Sequence, residues 1–218
     1  MNANDWFAVS LSFRVAIVAT LVFLPFCVLA GVWLGRTRRA ARGLVQGVLM
    51  TPLVLPPVVS GLLLMRVFQW IGLPIAFTWI GAVFAAGVVA APLWIRTVRA
   101  SVESIDPRLS IAAESLGASR WRRFRTITLP LSWKGVVGGG VLFAARALGE
   151  FGAVMVVAGN TPGRTQTIPM AIYSKLQSPE PGAIWPLTLV AMMIALAAIL
   201  VGEWLARGAA GRRRAQPA

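Results

Sequence analysis

Polar and hydrophobic positions along this chain fall into long blocks. Five stretches, 15–34, 44–65, 78–95, 136–158 and 184–205, are nearly free of charge and long enough to cross a bilayer as helices. A hydrocarbon core takes roughly 20 apolar residues in helical form, and a helix satisfies its own backbone groups where no water is present. The pattern predicts an all-α integral membrane protein: one transmembrane domain over residues 1–218, a bundle of about five spanning helices. The first ten residues hold no Lys or Arg and the apolar run that follows is full length, unlike a cleaved signal peptide, so the first span is expected to be retained.

A polar, basic segment, about 99–134, separates the third and fourth stretches. Asp106-Pro107 is a helix start, with a capping carboxylate and a proline where its missing N–H does no harm. Leu109, Ala112, Ala113 and Leu116 then recur at helical spacing and form one apolar stripe. Gly117 lets the chain leave helical geometry. Ser119 is placed to cap a second short helix carrying Trp121, Phe124 and Ile127, which Leu129-Pro130 is expected to end. The small side chains of Ala112, Ala113 and Gly117 would let another protein approach the backbone closely. The alternative is an amphipathic loop at the lipid interface, with Trp121 as anchor and Arg120, Arg122, Arg123 and Arg125 on headgroups.

Composition agrees with the block pattern: the 218 residues are 57% hydrophobic and only 13% charged, with a mean hydropathy of +0.75. The net charge of +14 raises the question of a nucleic-acid partner, which the placement of the charges answers. Arg36, Arg38, Arg39 and Arg42 lie between spans one and two. Arg96, Arg99, Arg108, Arg120, Arg122, Arg123, Arg125 and Lys134 lie between spans three and four, and Arg207, Arg212, Arg213 and Arg214 follow span five. Five crossings put all three clusters on one side, which the positive-inside rule makes cytoplasmic, with the N-terminus outside and the C-terminus inside. Juxtamembrane Arg beside anionic lipid accounts for a pI of about 12.0, and no nucleic-acid partner is expected. One cysteine, Cys27, and no histidine exclude an internal disulfide and His-based catalysis. No catalytic residue and no metal-ligand set is assigned.

Two spans carry anomalies. Pro52, Pro56 and Pro57 interrupt the second, which is therefore bent or broken. Such breaks are either plain kinks or features of a transport pathway. In the fourth, Arg146 and Glu150 stand one turn apart, and either alone at mid-bilayer would cost about 2.5–3.5 kcal/mol, so both should face the bundle interior and each other. They form either a gate or subunit contact beside a pathway, or a buried structural pair. Gly31 and Gly35, Gly43 and Gly47, and Gly135 and Gly139 have the spacing of close helix crossings, within one chain or across a dimer. A turn-rich loop at 159–169 leads to a short apolar helix at 170–176.

The run Ile111-Ala-Ala-Glu-Ser-Leu-Gly117, followed by Ala118 and, further on, Ile127-Thr-Leu-Pro130, resembles the cytoplasmic loop by which bacterial ABC importer permeases dock onto their ATPase. Pro52-Leu-Val-Leu-Pro-Pro-Val-Val59, the 159–169 loop and Ala171-Ile-Tyr-Ser-Lys-Leu-Gln177 extend the resemblance to the permease subunits of molybdate or tungstate ABC importers. Arg146-Ala-Leu-Gly-Glu-Phe-Gly152 is also similar to sulfate permeases. One position departs: the family pattern has a Glu before the Ala-Ala pair, where this chain has Ile111, with Glu114 one turn later.

The resemblance implies an ATPase-coupling loop of Ala112, Ala113, Glu114, Ser115, Leu116, Gly117, Ala118 and Pro130, and makes Pro56, Pro57, Arg146 and Glu150 pathway or gate candidates. It also implies a homodimeric permease in the bacterial inner membrane, two cytoplasmic ABC ATPases, and a periplasmic or lipoprotein molybdate-binding protein. No Gly-x-x-x-x-Gly-Lys-Ser/Thr loop occurs in the chain, so no cofactor is expected on it, and ATP and Mg belong to the partner ATPase. The rivals are a sulfate or thiosulfate permease and an intramembrane enzyme using Glu150 and Arg146 as an acid–base pair. The second lacks a nucleophile, a His and a second intramembrane carboxylate.

Overall fold

A computed structural model describes residues 1–37, 42–178 and 184–210, with residues 203–210 as backbone only. Arg38, Arg39, the segment 179–182 expected to close the outer loop before the last span, the run at 212–214 and the Arg207 side chain lie outside the described residues. The first span is α1, Ala3–Arg36, a 34-residue helix that starts a full three turns before the apolar run. A reciprocal cap explains the early start. Asn2 Oδ1 accepts from the Asp5 N–H and Asp5 Oδ2 accepts from the Asn2 N–H, both at 2.9 Å, satisfying two end donors at once.

The second stretch is broken, as its prolines require. α2, Arg42–Val54, and α3, Pro57–Trp70, meet at Leu55-Pro56 with a bend of 116°. α4, Trp79–Glu103, follows, capped by Thr78 Oγ1 accepting from the Gly81 N–H at 3.2 Å. Whether the bent pair crosses or turns back is settled by its ends. Arg42, opening α2, is paired with Glu103 at the last turn of α4, whereas Phe77, beyond α3, donates its N–H to Val157 beside the first turn of α4. Phe68, near the end of α3, sets its ring 6.0 Å from that of Phe84 in the first third of α4, so the pair runs alongside α4 from its last turn towards its first and counts as one candidate span.

After α4 the chain leaves the bundle through α5, Pro107–Ser115, and returns through α6, Arg120–Arg123. Leu129-Pro130 does not end this second short helix. A π-helical turn, Phe124–Thr128, joins it to α7, Leu129–Leu148, so that Arg120–Leu148 is one continuous 29-residue element. Pro130 therefore lies inside a continuous helix, directly after the π-helical turn, where the bonding register has already shifted with the Leu129 N–H on the Phe124 carbonyl. The fourth stretch is also not one helix. α7 stops at Leu148 and α8, Gly152–Ala158, resumes after a break. The short helix expected at 170–176 is α9, Ile168–Leu176, and the last span is α10, Trp185–Ala210.

α4 is the axis of the bundle, packed on α1, α7 and α8. Glycines set the approach. A Cβ at Gly31 would lie 2.7 Å from Val98 Cβ, at Gly35 2.8 Å from Val102 Cγ1, and at Gly135 2.3 Å from Ser101 Cβ, so these pairs serve crossings within the chain. Gly43 and Gly47 face open space instead. Trp94, fully buried over Gly139 and Gly140, donates its indole N–H to the Val136 carbonyl at 2.8 Å and packs at a tilt of 50° against the Phe143 ring, which fixes α7 on α4.

Candidate functional site

Two regions hold the residues singled out in the sequence, and they lie at different levels of the bundle. The first is the excursion between α4 and α7. Asp106 caps α5 by accepting from the Arg108 N–H at 2.9 Å, and Pro107 opens the helix as expected. At its other end the Gly117 N–H bonds to the Glu114 carbonyl and the Ala118 N–H to the Ala113 carbonyl, both at 2.9 Å. This closure requires a residue of left-handed conformation, and Gly117 supplies it with φ +77. Ser119 Oγ then accepts from the Arg122 N–H at 3.3 Å and starts α6.

The hairpin is held to the bundle by its polar side. Arg36 of α1 donates to Ser110 Oγ at 3.2 Å, and Arg123 donates to the same oxygen at 3.5 Å and to Glu114 Oε2 at 2.7 Å. The apolar stripe turns largely away: Ala112 is exposed, Leu109 and Leu116 are 47% and 88% exposed, and Ala113 is half-buried. Ala112, Ala113, Ser115, Leu116, Gly117 and Ala118 thus share one projecting hairpin, and Glu114 binds back to the chain's own Arg123. Pro130 is not part of that hairpin, since it lies in the shaft of α7. A second tie braces the same end, where Glu103 accepts from Arg42 and from Arg99, the latter at 2.9 Å, while Arg99 also donates to Gln46 at 2.5 Å.

The second region is where the two broken spans meet. A Cβ on Gly152 would lie 3.0 Å from Pro57 Cβ, and one on Gly61 only 2.8 Å from the Ala153 carbonyl oxygen, so the start of α3 lies directly on the start of α8. Arg146 donates to Glu150 Oε2 at 2.6 Å, with the Glu150 side chain 1% exposed and that of Arg146 35%. The expected pairing is present, but not along one helix. Glu150 follows the end of α7, and its Oε1 accepts the Ala153 N–H at 2.9 Å, capping α8. One buried carboxylate therefore holds two elements together, and Pro57, Arg146 and Glu150 gather at one break, with Pro56 at the facing bend.

Sequence reasoning missed Ser60. Its buried Oγ on α3 has no hydrogen-bond partner among the described residues. A lone hydroxyl three residues after the proline pair was the available signal. Also missed was the opposite end of the bundle, where Lys175 of α9 pairs with Asp5 at 3.0 Å and the Ile168 N–H donates to Ser12 at 2.8 Å, tying α9 to α1. Among the described residues no group of three or more His, Cys, Asp or Glu is placed to hold a metal ion.

The model of the family described as binding-protein-dependent transport system inner membrane component matches residues 27–213. The chain belongs to that family. This transport-family permease is 44% identical over 216 residues to the molybdenum transport system permease protein ModB of Escherichia coli (strain K12), covering 93% of this chain and 94% of the relative. It is 33% identical over 197 residues to the sulfate transport system permease protein CysT of the same organism, covering 84% of this chain and 71% of the relative. In three dimensions the permease resembles a chain of the MetNI methionine ABC transporter solved in inward-facing conformations, with a TM-score of 0.70, 16% identity and 94% of both chains covered. Membership makes the chain a multi-pass inner-membrane transport subunit and removes the reading of Arg146 and Glu150 as an intramembrane acid–base pair.

Proposed function

We propose that this chain is the permease subunit of an ATP-driven importer of a tetrahedral oxyanion, molybdate or the closely similar tungstate, and that two copies form the pathway. The greater identity to ModB than to CysT supports molybdate over sulfate. The N-terminus lies outside and the hairpin and C-terminus lie in the cytoplasm, because the Arg-rich end of the bundle is the one that carries α5. ATP and Mg are bound by a separate ATPase, and an external binding protein delivers the oxyanion at the α9 end.

One observation carries the coupling part of this reading: the apolar stripe of α5 is exposed on a hairpin whose polar side is locked to the bundle. A segment that only lay on lipid would need no such lock. A rigid hairpin transmits displacement, because force on Ala112 or Leu116 reaches α1 and α7 through Ser110, Glu114 and Arg123. ATP binding draws the two ATPases together, the hairpins follow, and the spans tilt around the break where Pro57 meets Gly152. The pathway opens outward, and hydrolysis returns it inward.

Reconstituting the permease with its ATPase and offering binding proteins loaded with molybdate, tungstate or sulfate tests the reading. Stimulated ATP hydrolysis and uptake with molybdate or tungstate are expected. Stimulation by a sulfate-loaded protein alone, or a requirement for a second, different permease chain, would favour the sulfate or thiosulfate alternative.

A further inference from the structure

Where the cytoplasmic end of α1 passes the α6–α7 junction, a groove of about 650 Å³ opens, lined by Leu29, Val32, Trp33 and Phe124 on one part and by Arg36, Arg120 and Arg123 on another. The volume lies within the roughly 300–1,000 Å³ of small-molecule sites. Its two halves differ in chemistry. Leu29 and Trp33 are exposed on the outer face of α1, on a segment that belongs to the spanning helix, whereas the three guanidiniums sit at the end of that helix. Among the described residues only Glu114 offsets them by direct contact, and it contacts Arg123.

Two further facts mark the basic half as incomplete. Arg36 and Arg123 share one neutral acceptor, the Ser110 hydroxyl, and the Glu114 carboxylate that pairs with Arg123 is the single acidic group in contact with either among the described residues. The Nε of Arg123, a buried donor, has no partner among the described residues. A buried donor left unpaired is destabilising, so such a group is expected to have a ligand. This is also where the one π-helical turn among the described residues lies: Phe124–Thr128 supplies Phe124 and Thr128 to the groove, and such turns occur frequently at functional sites.

We infer that this groove holds one anionic glycerophospholipid of the cytoplasmic leaflet, its phosphate on Arg36, Arg120 and Arg123 and an acyl chain along Leu29, Val32, Trp33 and Phe124. A free anion would use the basic half and leave the apolar half unmatched, whereas a phospholipid matches both. The lipid would then brace the Arg36–Ser110–Arg123 junction from which α5 projects. The inference rests on the cytoplasmic placement of this end.

The test is native mass spectrometry of the permease purified with its bound ATPase, exchanged into detergent with dioleoyl phosphatidylglycerol or dioleoyl phosphatidylethanolamine. Phosphatidylglycerol is expected to be retained preferentially. The double variant Arg36→Gln, Arg120→Gln should weaken that retention roughly thirty-fold, from about a fivefold loss for each Arg near a membrane surface, while Arg36→Lys, Arg120→Lys keeps most of it. Equal retention of both lipids by the wild type, unchanged retention in the Gln variant, or displacement of the lipid by inorganic phosphate alone would each overturn the proposal. Sidedness is read separately by labelling a Leu116→Cys variant in sealed vesicles, so an error of orientation is distinguishable from failure of the lipid site.

Discussion

Gly117 offers a substitution series in which backbone conformation is separated from packing. Its φ is +77 and an added Cβ would meet nothing within 4 Å, so the penalty of a side chain is conformational alone. The left-handed conformation costs an L-residue roughly 1–2 kcal/mol, less for Asn, whose short amide is tolerated there. That penalty shifts the balance between the closed hairpin and a frayed one by a factor of about 5 to 30. A frayed hairpin loses the Ala118-to-Ala113 closure and cannot carry displacement from the ATPase to α1 and α7. In proteoliposomes, Gly117→Ala and Gly117→Val should lower the oxyanion transported per ATP hydrolysed severalfold, Val most, with Gly117→Asn close to the wild type. Gly138→Ala is the control: it too has nothing within 4 Å, but it lies within α7. If Gly117→Val transports with the wild-type coupling ratio, or Gly138→Ala is as damaging, the argument that the hairpin's geometry transmits the work is wrong.

At the break between α7 and α8 the effects should be asymmetric. Arg146→Ala leaves the buried Glu150 charge with the Ala153 N–H as its one remaining partner among the described residues, a loss of about 3–5 kcal/mol, whereas Glu150→Gln keeps an acceptor for α8 and leaves an Arg that is partly exposed; melting temperatures of the purified complex should rank the first well below the second. Ser60→Ala removes a buried hydroxyl that has no partner, so stability should be unchanged or slightly higher, and lost uptake at preserved stability would assign the hydroxyl to the pathway. Gly139→Val would push a side chain into Trp94, whose Cδ1 is 2.4 Å from the added Cβ, and should cost about 1–3 kcal/mol or abolish folding, as judged by yield and elution profile. Gly43→Ala and Gly47→Ala meet nothing within the chain, so a loss confined to the assembled complex, seen as dissociation on size exclusion, would place that face against a partner.

The sequence by itself determined the element types, because the bilayer enforces them. Apolar blocks of spanning length have to be helical, prolines at 52, 56 and 57 have to interrupt the second, and Asp106, Pro107, Gly117 and Ser119 carry local capping chemistry that acts within a few residues. Local signals also misled. Pro130 looked like a stop because proline breaks helices from inside, yet the π-helical turn Phe124–Thr128 carries the helix past it, an irregularity that residue type and spacing do not announce. Only the tertiary structure decided that Glu150 leaves α7 to cap α8, that Pro57 meets Gly152, that Gly31 and Gly135 pack on α4 while Gly43 and Gly47 do not, and that the stripe of α5 points away from the bundle. These are contacts between residues far apart in the chain, and helical periodicity gives the spacing of a face without saying what that face meets.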